Sequence, residues 1–302
     1  MNREGYARFF ERLGHRVVTT GTNVWYEARA RVYMSLPNSM PIEPQGDELT
    51  ALFARPRCWG VRFPAPAEGP GRLSYALVLD DPEYDLASLS ANARSKVRRG
   101  VKQWTVERVD PAFVRAHGIR ANTDTLARLL VQKDPYDWNV YWDAVAATPD
   151  VEVWAAFEGT EIAAYVVIAL VDGIAEILTA RSQDATLKRY PNNALVFTAV
   201  RDLLHRPGLD RVFFGVESLD LAEGVEEFKF SLGFRRLPIR QRIVFPPFVD
   251  RLLRHRFVGR AVRNITRLQP RLEVARKLEG LLIFHGSLAE DRGARKEAAW
   301  TS

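Results

Sequence analysis

One cysteine, five histidines and three methionines in 302 residues leave this chain few soft or redox-active side chains. A lone Cys58 cannot close an intramolecular disulfide or build a cysteine-rich zinc site. It lies in RPRCWG with no histidine or second cysteine nearby, which reads as a packed thiol rather than a nucleophile. His15, His117, His205, His255 and His285 form neither an i,i+4 pair nor an HExxH pattern, so they give no metal-ligand spacing. Long hydrophobic runs are missing too. The longest, Ile162 to Val171, is about half of the roughly 20 residues that cross a bilayer and reads as a buried strand. The first residues, MNREGYARFFERLG, interrupt their apolar pattern with charges and lack the hydrophobic stretch and cleavage site of a secretory signal. The expected location is the cytoplasm.

Basic residues are in excess, with 43 Lys and Arg against 37 Asp and Glu. The resulting +6 favours anionic partners: phosphates, nucleic acid or acidic lipid headgroups. Tyr6, Phe9, Phe10 and Leu13 share one helical face, and Gly14 suits the residue that ends the helix. Short β-rich runs follow at Val17 to Val18, Val24 to Tyr26 and Val32 to Met34, cut by Pro37, Pro41 and Pro44, and Leu73 to Leu79 reads as a further strand. From Leu86 the period becomes helical, with Leu89, Ala93, Val97 and Trp104 on one side. Arg94, Arg98 and Lys102 form a second stripe, with Arg94 at the edge of the apolar face.

The second half is more regular. Helices are expected over Asp124 to Lys133 and Trp138 to Ala147, then strands over Val151 to Phe157, Ile162 to Val171 and Gly173 to Arg181. Pro191 suits the first turn of a helix that Pro207-Gly208 stops. A strand over Arg211 to Val216, a short helix over Val225 to Leu232, a Gly233 corner and a strand over Phe234 to Phe245 complete the pattern.

This order resembles the GNAT acyltransferase fold. Within it, SANARSKVRRGVKQW, RYPNNALVFTAVRDLL and EEFKFSLGF resemble the FemAB-like transferases, the peptidoglycan bridge-forming type, over roughly Leu79 to Phe245. The resemblance implies an α+β fold with a GNAT-like mixed sheet flanked by helices. It divides the chain into a degenerate N-terminal GNAT-like unit (1–104) and an acyltransferase unit (105–245), and the change in sequence character after Pro246-Pro247 sets off a basic helical extension (246–302). It also implies transfer of an aminoacyl or acyl group from an activated donor to an amine of a cell-envelope precursor or small molecule. No cofactor is required beyond the donor substrate, aminoacyl-tRNA or acyl-CoA.

Such transfer passes through a tetrahedral intermediate whose oxygen needs a facing donor. By the resemblance, Lys229 after Phe228 is that donor, its stem lying between Phe228 and Phe230; a solvated lysine paired with Glu226 is the plain alternative. The stretch RSQDATLKRYPNNAL has no glycine to let a pyrophosphate approach the backbone, although Lys188 and Arg189 could hold phosphate, so CoA is disfavoured against aminoacyl-tRNA. Arg94, Arg98, Arg99 and Lys102 are candidates for donor phosphates, or a solvated face. Tyr136, Trp138, Tyr141 and Trp142 would stack bases or pack on a sheet. Asp184, Asn192, Tyr190 and Arg181 surround the place where a GNAT site opens. Asp184 or Asn192 would orient the amine and Tyr190 would move a proton, or they are caps and loop residues, with Asn192 the N-cap. Beyond Pro246-Pro247, FVDRLLRHRFVGRAVRNITRL reads as a basic amphipathic helix that would pack on the protein or lie on an anionic membrane, a peripheral contact at the inner face.

Overall fold

The computed structural model describes residues 1–28, 31–56, 58–129, 131, 134–217, 225–253, 264 and 268. Contacts group the chain into two compact units, Met1–Gly14 with Leu77–Gly215 and Ala222–Arg236, and His15–Ala76 with Val216–Leu221 and Leu237–Ser302. This grouping is not the linear division expected from sequence: residues 1–104 contribute to both units, because the first helix and the stretch after Leu77 pack with the later strands.

In the first unit, α1 (Arg3–Arg12) starts where the Asn2 side chain accepts the Gly5 N–H, and buries Tyr6, Phe9 and Phe10. Gly14 ends it at φ +87°, as expected of a residue without a Cβ. The chain returns at the end of β5 (Arg72–Leu79) and runs into α3 (Ala91–Gln103), capped by Ser90. Next come β6 (Thr105–Arg108), α4 (Pro111–His117), α5 (Ile119–Arg128) and α6 (Trp138–Ala146). A meander follows, β7 (Val151–Glu158), β8 (Glu161–Val171) and β9 (Ile174–Ser182), then α7 (Pro191–Leu204), β10 (Arg211–Val216) and α8 (Val225–Ser231).

These strands lie in the order β10-β9-β8-β7-β6; β9 is parallel to β10, and the β6–β7, β7–β8 and β8–β9 pairs are antiparallel. The apolar run in β8 is buried on both faces, which is why it does not alternate. Leu89, Ala93, Val97 and Trp104 of the α3 region join Leu195, Val200 and Leu203 of α7 over Trp154, Val166, Ile168 and Ala175. Each such large side chain contributes about 1.5 to 3 kcal/mol of burial. On the other face Trp142 packs edge-on to Tyr165, and the Tyr6 hydroxyl donates to buried Glu176 at 2.6 Å. The aromatic set of α6 is therefore packing: Tyr141 and Trp142 are buried, and Tyr136 and Trp138 lie against them.

The second unit contains β1 (Val17–Thr19), β2 (Val24–Glu27), β3 (Val32–Leu36), α2 (Gly46–Phe53), β4 (Gly60–Ala65), β11 (Arg235–Val244) from Leu237 on, and α9 (Pro247–Leu253). Strand order is β1-β2-β3-β4-β11. Sequence reading missed β4, since Pro64 argues against a strand with a neighbour on each side. The β3 ladder ends at Arg62, and the Pro64 carbonyl takes the Ile42 N–H at 2.9 Å. A residue's N–H and C=O point to the same side of a strand, so the missing N–H does not interrupt the pairing with β11. Cys58 is buried with its Sγ 3.6 Å from the Gly60 carbonyl, and burial raises its pKa, which agrees with a packed thiol. Of the C-terminal extension, α9 is described; the amphipathic helix expected from Arg254 onward lies outside the described residues, apart from Asn264 and Leu268.

Candidate active site

Two irregularities open the sheet of the first unit. The parallel ladder of β10 with β9 covers Arg211↔Ile174, Val212↔Ala175 and Phe213↔Glu176 only, although both strands continue. Immediately beyond, the β8–β9 register slips, since Val167 faces Thr179 and Ile168 faces Ile177, leaving Leu178 as an extra residue. A bulge re-aims the strand that carries it. Past Glu176 and Phe213 the two strands share no ladder among the described residues, and Leu178 to Arg181 are only half-buried. The result is an opening between parallel strands, with backbone groups unclaimed by the sheet.

Lys229 of α8 stands at the β10 side of this opening. Its ammonium donates to the Phe214 carbonyl at 2.7 Å and lies 4.4 Å from the centre of the Phe214 ring. Phe214 is the first β10 residue beyond the ladder. Burial lowers the Lys229 pKa from 10.5 to about 8, against a smaller opposing pull from Glu226. One of its three N–H groups is spent on Phe214, and among the described residues the other two have no hydrogen-bond partner. The expected stacking between Phe228 and Phe230 is corrected: Phe228 packs on the main core, and Phe230 lies under Arg236, 4.5 Å away. The aromatic partner of Lys229 is Phe214. The corner after α8 is fixed by Gly233 at φ +91° and by the Tyr84 hydroxyl, which donates to the Leu232 carbonyl at 2.7 Å.

Directly after β9, past the unpaired stretch, the chain makes a tight turn over 184–189 and enters α7 through Tyr190, which holds φ +58°. A bulky residue in the left-handed region costs energy and must be held by its surroundings. Gly100 of α3 is what lets that corner approach: a Cβ there would meet the Tyr190 carbonyl oxygen at 2.5 Å. Arg99 lies 4.7 Å from the Tyr190 ring centre and donates to its hydroxyl at 3.3 Å. Trp104 donates to the Arg189 carbonyl at 3.1 Å while the Arg189 guanidinium covers its ring at 4.0 Å. Along α3, Ala91, Arg94, Ser95, Arg98, Arg99 and Lys102 line a cavity of about 280 Å³. Arg94 gives one N–H to the Leu89 carbonyl, and its buried Nε has no partner among the described residues.

The remaining candidates serve this framework. Asp184, expected near the nucleophile, is ion-paired with Arg128, which also donates to the Ser182 carbonyl and hydroxyl and to Thr125. Asn192 is not the N-cap, a position that Tyr190 takes; its amide donates to the Ser182 hydroxyl at 3.0 Å. Arg181 donates to Asn122, whose amide donates to Asp134 at 2.6 Å. By register Arg181 lies opposite Tyr165, on the sheet face away from α3 and α7.

A sheet opened between parallel strands, crossed by a helix that begins at the opening, is an arrangement that solved structures allow to be compared. FemX is similar to this chain at TM-score 0.54 and 11% identity, over 80% of this chain and 91% of FemX. L-PGS from Bacillus licheniformis matches at 0.53 and 14%, over 81% and 91% of the two chains. A C-terminal domain assigned to a lysylphosphatidylglycerol synthetase of Agrobacterium fabrum matches at 0.53 and 12%, over 81% and 89%. The fold is GNAT-like. No protein-family model and no curated protein matches the sequence. Among the described residues no group of three or more His, Cys, Asp or Glu could hold a metal ion, and no helix is long and apolar enough to cross a membrane.

Proposed function

We propose that the chain is a transferase that moves an aminoacyl group from the ester of an aminoacyl-tRNA to an amine of a cell-envelope precursor or small molecule. The observation that carries this reading is Lys229, a half-buried ammonium anchored on Phe214 where β9 and β10 part. The amine nitrogen attacks the ester carbonyl, forming the C–N bond and placing negative charge on the carbonyl oxygen. The two free N–H groups of Lys229 meet that charge in surroundings that screen it poorly. Collapse breaks the C–O bond, and the ribose hydroxyl leaves with the proton lost by the amine. Asp184 is committed to Arg128, so this transfer uses the leaving oxygen or solvent as proton carrier.

Two features favour tRNA over CoA. The entrance to α7, where a CoA pyrophosphate would need close backbone approach, is occupied by a bulky Tyr190 in the conformation glycine would supply. The α3 cavity presents four cations and a serine hydroxyl, and the Arg99–Tyr190 stack offers a flat surface for an unpaired base. The name of one similar structure, the lysylphosphatidylglycerol synthetase domain, also describes an aminoacyl group joined to an acceptor. Incubation with charged tRNA, or with acyl-CoA, and a panel of amines should yield amide products by mass from the tRNA arm. Thiol release from the CoA arm alone would reverse the donor. Transfer from neither donor would leave a non-catalytic basic module.

A further inference from the structure

Large apolar side chains are exposed together at one end of the second unit. Trp59 is 45% exposed, Phe248 63% and Leu252 50%. Val61 pairs with Val244, and a Cβ on Gly60 would lie 3.1 Å from the Phe245 ring, so Trp59 before β4 and α9 after β11 leave the sheet at the same end. Phe248 and Leu252 are four residues apart in α9 and therefore share a face. The Trp59 backbone N–H donates to the Arg31 carbonyl at 3.0 Å, and the Cys58 backbone N–H to the Arg55 carbonyl at 3.3 Å, which ties the backbone of two exposed arginines to the segment that carries Trp59. Arg251, also exposed, adjoins Leu252. Of the acidic groups nearby, Glu27 is paired with Arg16 and Asp250 is half-buried. Beyond Asp250 the sequence supplies Arg251, Arg254, Arg256, Arg260, Arg263, Arg267 and Arg271 before its next carboxylate, Glu273.

We infer that this end of the second unit docks on an anionic lipid surface. Trp59, Phe248 and Leu252 enter the boundary between headgroups and acyl chains, and Arg31, Arg55 and Arg251 remain at the level of the phosphates. Tryptophan prefers that depth because its ring is apolar and its N–H is not. Apolar burial and lipid charge act together in such contacts, whereas a nucleic acid would leave Phe248 and Leu252 in water. The residues of this surface all belong to the second unit and none of them is a proposed site residue, so the inference does not depend on the transfer reaction.

Co-sedimentation of the full chain with vesicles tests it, using phosphatidylglycerol mixed with phosphatidylcholine against phosphatidylcholine alone. Binding should require the anionic lipid and weaken with salt. Phe248→Ser with Leu252→Ser should lower vesicle affinity roughly tenfold, as should Arg31→Glu with Arg251→Glu. Urea midpoints should stay at the wild-type value, because all four side chains are exposed. Equal binding to both vesicle types, or wild-type binding by the apolar variant, would overturn the inference. So would light scattering that shows these side chains hold two copies together while vesicles bind neither form. Transfer to a dissolved amine should proceed equally in both variants.

Discussion

Replacing Lys229 with methionine should make the protein more stable and nearly inactive. A fall in pKa from 10.5 to about 8 means that the fold disfavours the ammonium. At about 1.4 kcal/mol per tenfold, that is on the order of 3 kcal/mol before allowing for the half-buried side chain's contact with water. Methionine fills similar volume without the charge, but it orphans the Phe214 carbonyl, which costs about 1 kcal/mol. The net gain is about 1 to 2 kcal/mol at pH 7. Loss of an oxyanion donor lowers turnover by roughly a hundred- to a thousandfold. The folded pKa lies below the unfolded value, so the unfolded chain binds more protons between about 8 and 10.5, and wild-type stability should climb across that window. Urea midpoints at pH 7 and pH 10, measured beside transfer rates, give all three quantities. A Lys229→Met variant that turns over at the wild-type rate, or is less stable at pH 7, or keeps the pH-dependent climb, would refute the argument.

The corner of α3 and α7 makes a separate prediction. Gly100→Ala would place a Cβ 2.5 Å from the Tyr190 oxygen and 2.9 Å from the Ala194 Cβ, and should cost about 2 kcal/mol, outweighing a gain of up to about 1 kcal/mol in helix propensity; thermal unfolding would show the lowered midpoint. In the second unit, burial would raise the Glu48 pKa, but hydrogen bonds from Thr22, Thr20 and Gln45 hold it at about 2. The stability it contributes is present above about pH 4.5 and lost as pH falls towards 2, and Glu48→Gln should remove about 2 kcal/mol at neutral pH and flatten this acid limb in denaturant titrations. Arg98→Glu with Lys102→Glu should raise KM for the charged donor at least tenfold, and flatten its salt dependence, while kcat with saturating donor changes little.

How much of this was legible depended on whether a feature obeys local rules. The helix α7 begins at Pro191 as its sequence predicts, because Pro pre-sets the first turn and the apolar face keeps one period to Leu204. Strand β10 falls at Arg211–Val216, also as predicted, bounded by Pro207-Gly208 before it. Short or proline-bearing elements were invisible for the converse reason. Helix α2 is signalled only by the Gln45/Glu48 capping box, and α4 only by Asp110-Pro111, the cap and first-turn pair. Helix α5 runs over Ile119–Arg128 rather than Asp124 to Lys133, starting and ending five residues earlier than its apolar period suggests.

At the candidate site the split is sharper. The order of motifs singled out Lys229, the basic stripe on α3 and Tyr190, because each belongs to a helix or helix entrance with a readable period. It could not supply the partners. Phe214 reaches Lys229 from a different element, Arg128 reaches Asp184 across 56 residues, and nothing in ILTARS marks Leu178 as the bulged residue. Tyr190 in the left-handed region is hidden for a physical reason, since that conformation is assigned by default to glycine or asparagine. A tyrosine there is tolerated only because Gly100 has yielded the space and Arg99 covers the ring. The strained corner, the bulge and the desolvated lysine are three departures from local preference within one unit, all at the end of the sheet where two parallel strands separate. Local conflicts of this kind are expected where a fold gives up stability to hold reactive geometry. Their coincidence at that opening, with Lys229 among them, is the physical ground on which the proposed chemistry is put there.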